Sequence, residues 1–211
     1  MRGKHIAYYN VLEAFEAAGC PICSLVEQAV RKRAEWLMYE GVNDPGMRQK
    51  LIRSRGFCAQ HGELMIEIGH PLGLALIYGD IVDSVSSSLT PARRPRTAGS
   101  SSATCPACEW AKESESQYLS AIADHFADEK LRARVLECRA FCLPHLEKLL
   151  ELLPAPEQEV LKQAALAHLS ELGFELSEIV RKSEYRCVEP WGPEGNAWKR
   201  AVRKISGRRR E

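Results

Sequence analysis

The sequence predicts an all-α protein built as a pseudo-twofold duplication of one helical unit. Three observations carry that prediction. Apolar residues recur at helical spacing through most of the chain, no stretch alternates as a strand would, and one Cys/His pattern is written twice at matched spacing.

In chain order, Ile6, Tyr9, Val11, Leu12 and Phe15 give a first helix within residues 4–18, and Gly19 stops it. Val26, Val30, Ala34, Leu37 and Met38 then form a stripe, so a second, amphipathic helix runs from Ser24 to Gly41. Asn43-Asp44-Pro45 reads as a cap with proline in the first turn, opening a short helix that reaches about Ser54 before Gly56 breaks it. Leu64, Met65 and Ile68 mark the next helix. Pro71 opens another, with Leu74, Ile77, Tyr78, Ile81 and Val85 on one side. Residues 86–104 are small, polar and interrupted by proline, the composition of a flexible linker.

The second half repeats the first. A shift of 85 or 84 residues lays Cys20 on Cys105, Leu37 on Ile122, Asp44 on Asp128, Arg48 on Arg132, Phe57 on Phe141, His61 on His145 and Pro71 on Pro156. Residues 157–185 form a longer helical pattern than the first half has. After an irregular Pro190-Trp191-Gly192-Pro193, a short helix from Glu194 to Ile205 places Trp198, Val202 and Ile205 on one face. The expected division is a first unit at 1–88, a linker at 89–104, a second unit at 105–186, and a tail at 187–211.

The duplicated pattern is Cys20-Pro-x-Cys23 followed by Cys58-x-x-His61, then Cys105-Pro-x-Cys108 followed by Cys142-x-x-His145. Within each copy the pairs are separated by 34 and 33 residues. A C-x-x-C turn lets both sulfurs reach one ion about 2.3 Å away, and the C-x-x-H pair completes a tetrahedron. Both kinds of pair fall at predicted helix N-termini, where free backbone N–H groups and the positive dipole end favour thiolates. Three thiolates and a neutral imidazole leave no open coordination position, so two structural zinc ions are expected, one in each half. The sequence leaves open whether the repeats exchange ligands. The bland alternative, cysteines buried as small hydrophobes beside core histidines, does not account for the duplicated spacing. An iron–sulfur cluster is the alternative cofactor, and a CPxC dithiol at a helix N-terminus also permits redox chemistry. That chemistry normally rides on a βαβ scaffold, of which there is no sign.

Composition narrows the classes further. Of 211 residues, 45% are hydrophobic and 27% charged, and the net charge is +1, so no global field draws the chain to nucleic acid or acidic lipid. No apolar run approaches the roughly 18–20 residues that span a bilayer, and the N-terminus lacks an apolar signal region. A cytoplasmic protein without membrane attachment is expected. In a reducing compartment its eight cysteines are metal ligands or thiols rather than disulfides.

Other residues are weighed the same way. Cys138 lies one turn before Cys142 and reads as a semi-buried unligated thiol. Asp44 with Arg48, and Asp128 with Arg132, read as bracing i,i+4 pairs. His125 and Glu129 read as a solvated helix face. Trp191 and Trp198 are expected to dock the last helix onto the bundle. Arg200, Arg203, Lys204, Arg208, Arg209 and Arg210, with linker arginines Arg93, Arg94 and Arg96, form a local basic patch that keeps nucleic acid as a possible partner. A protein partner is the more natural ligand of a metal-braced scaffold.

CPIC, NDPGMR, GFCAQH and LGLALIY, then CPAC, FCLPH and the ending EPWGPEGNAWKRAV, resemble a bacterial family of unknown function with tandem CPxC and FCxxH motifs. The resemblance covers nearly the whole chain. It implies a cytoplasmic bacterial protein with paired metal sites, and carries the ligand assignment to Cys20, Cys23, Cys58, His61, Cys105, Cys108, Cys142 and His145.

Overall fold

The computed structural model describes residues 5–89, 103–184 and 188–207. Among these residues there are ten α-helices and no strand, as the periodicity predicts. They are α1 (Ile6–Ala14), α2 (Pro21–Trp36), α3 (Pro45–Ser54), α4 (Ala59–Ile68), α5 (Pro71–Leu89), α6 (Pro106–Asp124), α7 (Glu129–Glu137), α8 (Leu143–Leu152), α9 (Ala155–Lys182) and α10 (Ala197–Ser206). Linker residues 90–102, Cys187 and Arg208–Arg210 lie outside the described residues.

The helices form two compact units that do not coincide with the two sequence halves. One is residues 26–114; the other joins residues 1–25 to 115–211. The boundaries fall inside α2 and α6, not in the polar linker.

The contiguous unit buries Val30, Ala34, Leu37 and Met38 of the α2 stripe with Leu51, Leu64, Met65, Ile77, Ile81 and Trp110. Past Trp36 the helix widens into a π turn, Leu37–Gly41, and the Trp36 ring folds over Gly41. A Cβ at Gly41 would lie 2.7 Å from that ring, so any larger residue there would push the half-exposed indole aside. Asp44 caps α3 by accepting from Met47 N at 2.6 Å, with Pro45 in the first turn. Arg48 does not pair with Asp44 as its spacing suggested. It reaches Asp80 on α5 with two bonds, 2.6 and 2.7 Å, and α3 packs on α5. Asp44 Oδ1 is committed to the cap, whereas Asp80 offers both carboxylate oxygens to the guanidinium fork. His70, unassigned by sequence, accepts from Gly73 N at 2.9 Å and so caps α5.

By length and composition alone α5 is apolar enough to cross a membrane, which amends the expectation that no run comes close. Here its Gly73, Ile77 and Ile81 are buried and its Asp80 is ion-paired.

In the discontinuous unit α1 buries Ala7, Tyr8, Val11 and Ala14. Tyr8 donates its hydroxyl to Asp128 Oδ1 at 3.0 Å, and Asp128 also caps α7 by accepting from Leu131 N at 3.1 Å. Ring-edge packing against Tyr8, at 5.1 Å between centroids, occupies His125. Leu119, Ile122, Leu131, Val135, Leu146, Leu149 and Leu161 are buried along α6 to α9. The longer second-half helix is α9, 28 residues against 19 in α5.

The last helix is docked inside out. Trp198, Val202 and Ile205 are 54%, 62% and 54% exposed, whereas Ala197 and Lys204 are buried, and Trp191 is also exposed. The tryptophans therefore do not anchor α10. Polar contacts do: Lys204 Nζ donates to the Arg139 carbonyl at 3.0 Å, and Arg200 pairs with Glu175 of α9. Just before α10, the buried Glu194 accepts from Lys182 Nζ and Gly192 N, both at 2.8 Å. Lys182 beside it, with that backbone donor, holds the Glu194 carboxyl down to about 2.

Arg48 likewise holds the Asp80 carboxyl below its ordinary value. A depressed carboxyl stabilises the fold fully above its unfolded pKa, and that contribution is lost as pH falls through the folded one. Asp80→Asn is therefore expected to lower the melting temperature at pH 7, with the gap to the parent protein closing as the solution is acidified. A gap independent of pH, measured by thermal circular dichroism, would contradict this pairing.

Candidate metal centres

All four motif pairs begin at helix N-termini. Cys20 and Cys105 immediately precede α2 and α6, whose first residues are Pro21 and Pro106. Cys58 and Cys142 are the N-cap residues of α4 and α8, in extended conformation, and neither side chain is used as a cap. Their sulfurs are thus free to turn away from the helix. Each CxxC or CxxH places its second ligand one turn along, beside the same unpaired N–H groups.

The structure brings the eight predicted ligands together in two groups of four. One is Cys20, Cys23, Cys142 and His145; the other is Cys58, His61, Cys105 and Cys108. Within each group every ligand atom lies within 4.8 Å of the others. The pairing is crossed: each CPxC meets the CxxH of the other half. The expectation of one site in each sequence half is right in number and wrong in partition. The crossing also explains the unit boundaries, since each compact unit contains one complete group.

The donor sets fit a single four-coordinate ion. Bonds of about 2.3 Å to sulfur and 2.0–2.1 Å to nitrogen, in a tetrahedron, put sulfurs about 3.8 Å apart and sulfur about 3.6 Å from nitrogen. In the first group Cys23 Sγ is 3.8 Å from Cys142 Sγ. His145 Nδ1 is 3.4, 3.4 and 3.1 Å from the sulfurs of Cys20, Cys23 and Cys142. In the second, Cys58 Sγ is 3.7 Å from Cys108 Sγ. His61 Nδ1 is 3.2, 3.7 and 3.4 Å from Cys58, Cys105 and Cys108. These edges are far beyond a disulfide bond of about 2.05 Å, and the cysteines are free.

Crowding makes the thiols unlike one another. Hydrogen bonds from Cys142 and Cys23 stabilise the Cys20 thiolate and draw its pKa down to about 3, while Cys142, the donor, is pushed up. Burial and the neighbouring Cys105 and Cys58 push Cys108 up to about 12. A cation that replaces those protons relieves this competition in both groups.

The two sites differ in their surroundings. His145 donates from Nε2 to Glu115 Oε1 at 2.8 Å, and Lys148 holds the same carboxylate at 2.7 Å. That bond fixes the tautomer with Nδ1 as the ligand atom. Gly207, at φ +74° just past α10, brings its backbone against the first group: a Cβ there would lie 3.7 Å from Cys142 Sγ and 3.9 Å from Cys23 Sγ. Cys20, Cys142 and His145 are buried, whereas Cys58, His61 and Cys108 are only partly so. Among the described residues no carboxylate reaches His61 Nε2.

Sequence reasoning missed Glu115. The signal was present: it lies two turns beyond Cys108, and the 85-residue shift places it on Val30, an apolar position of the first copy. Cys138 joins neither group; burial raises its pKa, and it forms the C-cap of α7. His125 and Glu129 join neither group. Of the proposed nucleic-acid contacts, Lys204 is buried, Arg200 is paired with Glu175, and Arg203 is exposed.

A family model matches residues 1–211, end to end. The chain belongs to DUF6062, a family of unknown function. It is similar to a protein of Caldicellulosiruptor sp. (strain Rt8B.4) described as an uncharacterized 23.9 kDa protein in the xynA 3' region. The two are 26% identical over 205 residues, which cover 93% of this chain and 99% of that one. No solved structure matches the chain.

Double variants separate crossed from uncrossed ligation. Cys23→Ser/His145→Ala damages a single crossed group, so the purified protein is expected to keep one metal equivalent per chain. Cys23→Ser/His61→Ala damages both groups and is expected to keep none. The reverse result in elemental analysis would establish uncrossed sites. Glu115→Gln leaves all ligands in place but weakens the hold on His145, so metal affinity at that site should fall about 10–100-fold, measured by chelator competition, with the other site unchanged.

Proposed function

We propose that the protein binds two zinc ions as structural metals, one in each crossed Cys₃His group, and serves as a helical scaffold or interaction module for a protein partner. The observation that carries this reading is the convergence of three sulfurs and one imidazole nitrogen at mononuclear spacing, twice, from four helix N-termini. An iron–sulfur cluster interposes several atoms between its ligands and would hold them farther apart. Four protein ligands per ion also leave no position for a water or a substrate, which favours a structural over a hydrolytic role.

In this reading Cys20, Cys23, Cys142 and His145 hold one ion and Cys58, His61, Cys105 and Cys108 the other. A zinc ion supplies a cross-link between segments that a small core alone holds weakly. The net charge of three thiolates and one dication, −1, is offset by the N-terminal ends of α2 and α8 at one site and of α4 and α6 at the other.

Protein purified without added metal is expected to carry about two zinc per chain, to be colourless, and to lose cooperative unfolding when a strong chelator removes the zinc. Iron with sulfide and visible absorbance, or circular dichroism unchanged after complete metal removal, would overturn the reading.

A further inference from the structure

Beside the first metal group, the discontinuous unit holds a cavity of about 470 Å³ that ends on Cys20. That volume lies within the range of small-molecule sites, about 300–1,000 Å³. Arg139, Arg200, Arg203 and Lys204 line it, with Glu171 and Glu175 as the carboxylates and Cys20 and His168 as the other ionisable groups. Arg139 pairs with Glu171 and Arg200 with Glu175, so two cations are matched locally. Two are not. Among the described residues Arg203 has no carboxylate partner. Lys204 is only 5% exposed and donates a single hydrogen bond, to the Arg139 carbonyl, from a group with three donors.

The setting of α10 makes this surplus hard to dismiss as solvated charge. A surface helix ordinarily turns its apolar stripe inward and its charges to water. Here Arg200, Arg203 and Lys204, three and four residues apart, form the face toward the cavity, and Trp198, Val202 and Ile205 face outward. Burying an ammonium is costly unless opposite charge completes its shell, and the neighbouring cysteine sulfurs offset that cost only in part. Ala18, Ala140 and Leu172 supply the apolar part of the lining.

We propose that this cavity binds a small organic anion, with a carboxylate or phosphate head between Arg203 and Lys204 and an apolar body against Ala18, Ala140 and Leu172. The site goes beyond the zinc reading and does not depend on which metal the neighbouring group holds. Arg203, on the exposed turn of α10, gives the head its entry point, and the buried Lys204 supplies the inner contact.

The full-length, metal-loaded protein can be titrated with two fluorescent probes of similar size, the anionic anilinonaphthalene sulfonate and the neutral phenylnaphthylamine. The anion is expected to bind once per chain, to be displaced by octanoate or by phenyl phosphate, and to bind at least tenfold more weakly to Arg203→Glu. Whichever competitor acts at lower concentration identifies the head group. Trp198→Ser, which alters the outward face of α10, should leave binding within twofold, and circular dichroism checks that both variants stay folded. Equal binding of the neutral probe with no effect of Arg203→Glu would overturn the proposal. So would displacement by neither competitor, loss of binding on Trp198→Ser alone, or no saturable binding. Metal content measured on the same samples separates these outcomes from failure of the zinc reading.

Discussion

The fold depends on where its cysteine pairs find their fourth and third ligands. A CPxC turn at the head of α2 or α6 is half a site, and in each case the other half comes from the opposite copy of the repeat. Hydrophobic burial supplies most of the stabilisation of any such bundle, but burial is non-directional and would tolerate several pairings of similar helices. A tetrahedral ion in each group, as proposed, would not: it would require two particular helix starts to face each other with sulfurs about 3.8 Å apart, and so would select one arrangement from several that bury similar area.

Duplication gave the two sites the same ligands and left their surroundings to diverge. Glu115, Lys148, the backbone of Gly207 and the inward face of α10 all gather at one group; the other has half-buried ligands and Val30 at the place that matches Glu115. The tail after the repeat is what makes the difference. It has no counterpart in the first copy, and its cationic helix lines the same cavity as Cys20 and the apolar Ala18, Ala140 and Leu172. The field of the Cys20, Cys138 and Cys142 sulfurs partly offsets the desolvation of Lys204 there.

Much of this was legible in the residues alone. Helix starts at Pro45 and Pro71 and the stop after Ser54 coincide with the structure because caps and prolines act locally. The eight residues that the structure gathers into two groups were identifiable because their chemistry is tied to their spacing. Three things were not legible, each for a long-range reason. Crossed ligation keeps every local spacing unchanged, so nothing within one motif distinguishes it. Arg48 chose Asp80, 32 residues away, over a carboxylate one turn back. For α10 the apolar stripe of Trp198, Val202 and Ile205 predicted an inward face, and the ion pair of Arg200 with Glu175 on α9 and the Arg139 carbonyl overrode it.

Crossing has a consequence for how the chain is made. Residues 26–114 form their unit from a continuous stretch inserted between the two segments of the other. During synthesis Cys20 and Cys23 emerge first, and the partners available next are Cys58 and His61, not Cys142 and His145 some 119 residues on. Closing the shorter loop costs about 1 kcal/mol less entropy, so a cation captured early favours the in-order set of four. Under the zinc reading proposed above, the finished fold would then have to dissolve a site of good composition and wrong topology, which would make ligand exchange, rather than helix formation, the slow step.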